Sequence, residues 1–302
     1  MIIAVIGLGT MGAPIAGHLL DAGHEVIGYN RSRPAVDRLV ERGGRAATST
    51  ADAVREADVV ITMVPDTPDV EQIALGPDGI YANAKPGTLH IDCSTIRPDA
   101  ARRLAAAGAE RGMRVVDAPV SGGEAGARAG TLAVMVGGET AYVEAARPVL
   151  ETFARTIVHV GPPGAGQTVK AANQLIVAGH LELLAEALVF LEAHGVNTEA
   201  ATTVLAGGLA GSAVLDYKAA SMRARDFTPG FRVDLHHKDL GIVQEAARSA
   251  GVAIPLGAHV AQLVGALRAL GHGALDHSAL LLLVELLSGR AKPNQQASRA
   301  EG

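Results

Sequence analysis

A lysine and two amide side chains are grouped on one face of a predicted helix. Lys170, Asn173 and Gln174 have the spacing i, i+3 and i+4 inside an apolar segment that we predict to be helical from Gln167 to about His194. Residues with this spacing share a helix face, and an unpaired ammonium is costly to desolvate. The group is therefore a candidate acid–base site, and the alternative is a solvated helix end whose lysine extends to water.

A glycine-rich loop provides a candidate anion site. Ser121, Gly122 and Gly123 follow the predicted strand Arg114–Val116. Two adjacent glycines after a serine expose several backbone N–H groups in one small concavity, which suits a carboxylate, and the Ser121 hydroxyl adds a donor. Taken alone, the segment is equally compatible with an ordinary glycine-rich turn.

A second glycine-rich turn, Gly7-Leu8-Gly9-Thr10-Met11-Gly12, lies between a predicted strand and a predicted helix. In this context Gly7 permits the tight turn, Gly9 lets the backbone approach a pyrophosphate, and Gly12 lets the helix pack against the strand. The helix N-terminus then faces the phosphates. The placement at the start of a βαβ unit predicts a dinucleotide site rather than a turn without a ligand.

The residues after the second predicted strand bear on cofactor choice. Asn30, Arg31 and Ser32 occupy the place where an NAD-preferring fold usually carries an acidic residue for the ribose 2′-hydroxyl. Arg31 would face a 2′-phosphate, with Asn30 and Ser32 as hydrogen-bond partners. We therefore predict NADP as the cofactor, with NADPH favoured over NADH; the alternative is an exposed arginine in a loop.

Three other polar groups have structural interpretations. Asp276-His277-Ser278 is contiguous, so it predicts a helix N-cap rather than a catalytic triad. The neighbours His236 and His237 leave a helix in different directions, and we predict no metal site there. Cys93, at the end of a predicted strand, is expected to be a packing residue.

Composition and charge narrow the class of protein. The net charge of -5 gives no basic field for nucleic acid, and a single cysteine is typical of a reducing compartment. The apolar stretches near 175–191 and 279–287 contain glutamates, which favours buried helices over membrane spans. The apolar segment Ile2–Ile6 lacks the basic lead of a signal peptide. We expect a cytoplasmic protein that binds a small molecule, with neither nucleic acid nor a membrane as partner.

The pattern of elements predicts two domains, in keeping with a length of 302 residues. Short β-branched segments alternate with alanine-rich helical ones as far as about residue 160, which is typical of a parallel sheet with crossover helices. Beyond Val160 the sequence is typical of helices. The fold class is an α/β N-terminal Rossmann domain (1–162) and an all-α C-terminal domain (163–291), joined by the long helix, with a disordered tail at 292–302. The predicted strands are Ile2–Ile6, Glu25–Tyr29, Val59–Met63, Thr88–Asp92, Arg114–Val116, Leu132–Val136 and Thr156–Val160.

Taken together, these motifs resemble those of the β-hydroxyacid dehydrogenases along nearly the whole chain. The resemblance rests on Gly7 to Gly12, Asp117 to Gly123 with Gly130-Thr131-Leu132, Gly166-Gln167-Thr168-Val169-Lys170 with Asn173, and Lys238-Asp239-Leu240. It implies a Rossmann domain, a long helix and an all-α domain through which the subunits associate, as a homodimer or homotetramer.

The resemblance also assigns roles to individual residues. It implies that Lys170 is catalytic together with Asn173, that Ser121, Gly122 and Gly123 hold the substrate, that Thr95 and Lys238 contact the nicotinamide cofactor, and that Val64 and Pro65 line its ribose side.

Several segments are most like the family members that reduce tartronate semialdehyde: Met63 to Pro68, Ser121 to Glu124, Ala172 to Ala178, Pro229 to Phe231, Leu235 to Leu240 and Leu275 to Leu280. This implies reversible reduction of tartronate semialdehyde to D-glycerate, with Lys170 as general acid and base. A 3-hydroxyisobutyrate or other 3-hydroxyacid dehydrogenase is the alternative. An NADP-binding redox sensor without turnover and an imine reductase, whose family lacks the lysine, are further rivals.

Overall fold

The chain divides into two compact units within one long helix. In the computed structural model, which describes residues 1–292, the first unit is Met1–Lys170 and the second begins at Ala171. The predicted domain boundary at 162/163 stays a prediction, and the predicted tail at 292–302 lies outside the described residues apart from Lys292.

A twisted, mostly parallel sheet forms the centre of the first unit. Its strands follow the order β3-β2-β1-β4-β5-β6, then β8, with β7 and β6 on one side of β8 and β9 on the other. The strands are β1 Ile2–Ile6, β2 Glu25–Tyr29, β3 Arg45–Ala46, β4 Val59–Thr62, β5 Leu89–Asp92, β6 Arg114–Asp117, β7 Val120–Ser121, β8 Leu132–Gly137 and β9 Ala154–Gly161.

The sheet departs from the expected all-parallel arrangement at one end. Strand β8 runs antiparallel to β6 and β7, because the chain turns back after α7 instead of crossing over through a long helix. The short strands β3 and β7 were not predicted, since two residues give no periodic pattern.

Both faces of the sheet are buried. In β1, Ile3 and Val5 pack into one apolar cluster, whereas Ala4 and Ile6 pack into the cluster on the opposite face. Side chains alternate between faces along a strand, so a strand covered by helices on both sides has no position that faces water and is mostly apolar. This explains the continuous apolar runs in the sequence.

Helices cover the sheet and lead into the second unit. They are α1 Gly12–Asp21, α2 Arg33–Glu41, α3 Thr50–Val54, α4 Thr67–Leu75, α5 Ile80–Asn83, α6 Pro98–Ala109, α7 Gly123–Ala129, α8 Thr140–Leu150 and α9 Ala165–Ala193. Helix α9 begins two residues before the predicted start at Gln167. It ends as predicted before Gly195, whose φ of 69° is typical of a helix stop.

The part of the second unit that the structure describes is helical. It contains α10 Thr198–Ala206, α11 Ala213–Ala224, α12 Val233–Ser249, α13 Pro255–Leu267, a π-helical turn Arg268–His272, a 3-10 turn His277–Ala279 and α14 Leu280–Leu287. Its core includes α9 residues such as Leu181 and Leu188. The predicted N-cap is present, because the Asp276 carboxylate accepts a hydrogen bond from Ser278 N at 3.0 Å. It also binds Lys218 Nζ at 2.8 Å.

One face of α9 is apolar and exposed. Val169, Ile176, Leu183 and Phe190 recur every seven residues and are between 38% and 61% exposed. Within residues 1–292, α9 is the one helix whose length and composition would allow it to cross a membrane, a test that core helices of globular proteins also pass. The seven-residue interval matches a helix–helix packing seam.

Candidate active site

The glycine turn after β1 is shaped by close backbone contacts. Gly7 has a φ of 99°, and a Cβ at Gly7 would lie 2.3 Å from Met63 O, whereas a Cβ at Gly12 would lie 1.9 Å from Gly7 O. Only glycine fits at these two positions. A Cβ at Gly9 would meet nothing within 4 Å, so Gly9 faces open space at the N-terminus of α1, as a site for phosphate groups requires.

A pocket of about 740 Å³ opens beside this turn and is lined in part by Leu8, Gly9, Thr10, Asn30 and Ser32. Asn30 Oδ1 accepts a hydrogen bond from Leu8 N at 3.0 Å, and Asn30 Nδ2 donates to Ser32 Oγ at 2.8 Å. Asn30 therefore joins the glycine turn to the end of β2. The open turn, the helix N-terminus and the size of the pocket fit a dinucleotide.

Arg31 lies beside this pocket on the surface. Its side chain is 81% exposed, and its guanidinium is 3.8 Å from Asp69 Oδ1 on α4. An exposed pair at this distance is weak. Arg31 can therefore turn toward an incoming phosphate at little cost in free energy.

The loops after β4 and β5 are tied together by side chains. Ser94 Oγ accepts from Val64 N at 3.0 Å, and Asp92 Oδ1 accepts from Thr62 Oγ1 at 2.6 Å and from Ser94 N at 3.1 Å. The predicted cofactor residues Val64, Pro65 and Thr95 thus lie on two adjoining loops at the carboxyl edge of the sheet, where ligands of open α/β sheets bind.

A buried chain of hydrogen-bonded side chains leads from these loops into the sheet. The Thr62 hydroxyl donates to Asp92 and so accepts from His90 Nε2 at 3.0 Å, which leaves His90 Nδ1 to accept from the Tyr81 hydroxyl at 3.0 Å. Burial lowers the pKa of His90 to about 4 and raises the pKa of Asp92 to about 6. The neutral imidazole agrees with the direction of these hydrogen bonds.

The start of α9 is anchored to the same edge by Asp117 and Gln167. Asp117, the last residue of β6, accepts from Gly164 N at 2.7 Å and from Gln167 N at 2.9 Å. Burial raises the pKa of Asp117 above its ordinary value despite these bonds. The Gln167 side chain accepts from Ile96 N at 3.0 Å and donates to Ser94 O at 2.8 Å. Asp117 therefore acts as an N-cap supplied from the sheet.

Lys170 follows Gln167 by three residues and is 7% exposed. This burial excludes the solvated helix end that the sequence left open. The loop Ser121-Gly122-Gly123 connects β7 to α7, and φ values of 133° at Gly122 and 60° at Gly123 are readily adopted only by glycine. The two glycines therefore allow the left-handed backbone conformation that the predicted anion loop adopts.

In the second unit, the predicted residues Asn173 and Lys238 are linked through Gln174, a member of the same predicted polar group, and through Asp239, which was given no role. Asn173 Nδ2 donates to Gln174 Oε1 at 2.8 Å, and Gln174 Nε2 donates to Asp239 Oδ2 at 2.5 Å. Lys238 Nζ lies 2.7 Å from Asp239 Oδ1. Asp239 therefore orients both the Gln174 amide and the Lys238 ammonium.

Sequence reasoning missed the positioning roles of Asp92, Asp117, Gln167 and Asp239. Each stands beside a residue or loop that was predicted, and each is buried. Their signal was a polar type at a position where the strand or helix pattern requires burial. That signal shows that a partner exists but does not identify the partner.

Two family models match the chain: the NAD binding domain of 6-phosphogluconate dehydrogenase over residues 2–161, and the NAD-binding region of NADP-dependent 3-hydroxyisobutyrate dehydrogenase over residues 164–284.

Full-length relatives agree with these matches. The NAD-dependent L-serine dehydrogenase of Pseudomonas aeruginosa is 41% identical, over 95% of this chain and 99% of that protein. The 2-hydroxy-3-oxopropionate reductase of Escherichia coli is 38% identical, over 95% of this chain and 98% of that protein. The solved structure of Mycobacterium tuberculosis 3-hydroxyisobutyrate dehydrogenase with L-serine has a TM-score of 0.85 and 39% identity, covering 93% of this chain and 97% of that one.

Substitution of the turn glycines separates folding from cofactor binding. We expect Gly7→Ala to lower the melting temperature because its Cβ would collide with Met63 O. We expect Gly9→Ala to leave the melting temperature within about 2 °C, since ordinary surface changes are worth less than about 0.5 kcal/mol, while it weakens NADPH binding in a fluorescence titration. Unchanged NADPH affinity in Gly9→Ala would contradict the assignment of this turn.

Proposed function

The chain belongs to the β-hydroxyacid dehydrogenase family and is an NAD(P)-dependent oxidoreductase, and from this membership we propose that it reduces tartronate semialdehyde to D-glycerate, reversibly, with NADPH as the preferred cofactor. The observation that carries the proposal is the buried Lys170, three residues after the Gln167 side chain that hydrogen-bonds the cofactor-side loop after β5.

The relatives support a three-carbon acid as substrate. L-serine and 2-hydroxy-3-oxopropionate, the compounds in the names of two of them, both carry a carboxylate, a polar substituent on carbon 2 and oxygen on carbon 3. The segments that resemble tartronate semialdehyde reductases favour a hydroxyl over an amine on carbon 2. A 3-hydroxyisobutyrate substrate, with a methyl group on carbon 2, is the second candidate, because a 3-hydroxyisobutyrate dehydrogenase has the matching fold.

In this proposal, residues of the chain itself transfer the proton and orient the substrate. The reduced nicotinamide, when bound, supplies a hydride to the aldehyde carbon. Lys170, as an ammonium, donates a proton to the alkoxide oxygen that develops there, and in the reverse direction its amine accepts that proton. The backbone N–H groups of Ser121 to Gly123 and the Ser121 hydroxyl bind the carboxylate. Asn173 lies one helical turn from Lys170 and orients the reacting oxygen or the lysine.

The proposal is tested by comparing kcat/KM for tartronate, malonate, succinate and methylmalonate semialdehydes with NADPH and NADH, and for D-glycerate, L-serine and 3-hydroxyisobutyrate in the reverse direction. We expect tartronate semialdehyde to be preferred by roughly 10-fold or more, the discrimination that one substituent can provide. A higher kcat/KM for methylmalonate semialdehyde, or for L-serine over D-glycerate, would assign a different substrate.

Replacement of the proposed acid should abolish most turnover without removing the cofactor. We expect Lys170→Ala to lower kcat by roughly 10²–10⁴-fold, the usual contribution of general acid–base catalysis, with little change in the dissociation constant of NADPH. Lys85→Ala, an exposed lysine of the same unit, is the matched control and should retain full activity. Near-wild-type kcat in Lys170→Ala would remove Lys170 from the mechanism.

Cofactor preference should depend on Arg31. A hydrogen bond to a charged group contributes about 1.5–3 kcal/mol, so we expect Arg31→Ala to raise the KM for NADPH by roughly 10–100-fold and to leave the KM for NADH nearly constant. Arg33→Ala, which removes an exposed arginine paired with Asp37, controls for the loss of local positive charge. The preference for NADPH is refuted if the wild type favours NADH and Arg31→Ala leaves both values unchanged.

We also infer a homo-oligomer in which the exposed apolar face of α9 is covered by another copy of the chain. The support is the seven-residue spacing of Val169, Ile176, Leu183 and Phe190, because isolated chains rarely expose a continuous apolar surface of this length. Leu183→Glu should yield a smaller species in light scattering after gel filtration, whereas Val40→Glu, on α2 of the first unit, should not. A monomeric wild type would contradict the inference.

A further inference from the structure

The Gln167 side chain spans a single residue of the loop after β5. Its Oε1 accepts from Ile96 N at 3.0 Å and its Nε2 donates to Ser94 O at 2.8 Å, so the two bonds flank Thr95. Gln167 is 1% exposed. The amide pairs with the backbone on both sides of Thr95 in the way that a neighbouring strand would, and it holds the loop at a point where the sheet has ended.

This loop obtains much of its conformation from side chains of other elements. Ser94 N is bound by Asp92, and Arg97 N is bound by Thr67 Oγ1 at 3.0 Å. Among these links, the Gln167 amide is the one that connects the loop to α9. Backbone groups that are buried without a partner cost roughly 1–3 kcal/mol each. The hydrogen bonds of the Gln167 amide therefore fix the separation between the loop and the first turn of α9.

The backbone of Gln167 is fixed as firmly as its side chain. Gln167 N donates to Asp117 Oδ2 at 2.9 Å, and Asp117 Oδ1 accepts from Gly164 N at 2.7 Å. Lys170 lies three residues further along the helix, a rise of about 4.5 Å. The position of Lys170 relative to Thr95 is therefore set by one rigid residue that is bonded at three places.

We infer that Gln167 is a positioning residue that sets the nicotinamide side of the cofactor, through Thr95, at a fixed distance from the proton donor Lys170. The inference rests on the proposed function, because that proposal gives Thr95 its contact with the cofactor and Lys170 its role as acid. Both hydrogen bonds of the Gln167 side chain go to the backbone of the loop, so Gln167 would act on the reaction through Thr95 and Lys170. Its loss should misalign hydride and proton transfer while the glycine turn still holds the phosphates, and displacements of about 1 Å can lower rates by about 10²-fold.

The main variant is Gln167→Met, which keeps the length of the side chain and removes both hydrogen bonds. We expect kcat to fall by roughly 10–100-fold, the dissociation constant of NADPH to change by less than about threefold, and the primary isotope effect with cofactor deuterated at the transferred position to increase. The matched control is Thr88→Val, which removes a buried hydrogen bond to Ala57 O at the opposite end of β5. Thr88→Val should lose stability and keep kcat.

A second variant separates positioning from a general loss of packing. In Gln167→Glu, the protonated carboxyl can donate to Ser94 O and accept from Ile96 N, whereas the carboxylate can only accept. Burial favours the protonated form. The activity of Gln167→Glu relative to the wild type should therefore rise as the pH falls, while the relative activity of Gln167→Met should not depend on pH.

Hydrogen exchange provides a readout that does not require turnover. In the absence of cofactor, amide exchange at residues 94–97 should be faster in Gln167→Met than in the wild type or in Thr88→Val, because Ile96 N loses its acceptor. Unchanged exchange there, a kcat within twofold of the wild type, or a kcat loss equal to that of Thr88→Val would overturn the inference. If the wild type turned over no substrate in the panel, the proposed function would fail, whereas unchanged exchange at residues 94–97 would overturn the positioning role by itself.

Discussion

Asp117 ends β6 with a carboxylate that is almost completely buried, and both of its oxygens accept hydrogen bonds from the first turn of α9. A 29-residue helix has a positive N-terminal end with unsatisfied N–H groups, and here the sheet itself supplies the anion that caps it. The helix that carries Lys170 is thus fixed to the strand that leads into the Ser121–Gly123 loop. The proposed proton donor and the proposed carboxylate site are therefore both close in the chain to the contact between Asp117 and the start of α9.

The same principle holds along the rest of the carboxyl edge. Beyond the ends of β4 and β5 no neighbouring strand is available, and the side chains of Thr62, Asp92 and Ser94 take over the pairing. Such hydrogen bonds are stronger in a low-dielectric interior than in water, and among the described residues only Oδ1 of the Asp92 carboxylate takes part in them, because Oδ2 is buried without a hydrogen-bond partner. Burial raises the pKa of Asp92 to about 6, so placing this carboxylate in the network has a desolvation cost. The loops proposed to hold the nicotinamide are therefore hydrogen-bonded to the sheet without any ligand, and such preorganisation limits the entropy lost on binding.

The residue proposed to select the cofactor, in contrast, lies on the surface. Arg31 is exposed and only weakly paired with Asp69, whereas the glycine turn that would bind the phosphates is fixed by contacts at Gly7 and Gly12. The turn that would bind the phosphates of either cofactor is thus built into the core, whereas the residue proposed to distinguish NADP from NAD is an exposed side chain. A relative named as NAD-dependent at 41% identity shows that this family admits NAD, and a surface position can change with little effect on stability.

The sequence alone determined the longer strands, the alternation of strands with helices followed by a helical part, and the glycine turn, because periodic burial and positive φ impose residue types locally. It also singled out Lys170, Asn173 and Gln174 as a polar group on one helix face and, separately, Ser121–Gly123 as a candidate anion loop. It did not reveal the antiparallel return of β8, nor that Asp117, Gln167 and Asp239 hold these residues in place. A polar residue at a position that the sequence pattern predicts to be buried indicates that the residue has a hydrogen-bond partner. Which partner it has, across a separation of 50 residues for Asp117 and Gln167, was decided only when the sheet edge and the helix were packed together.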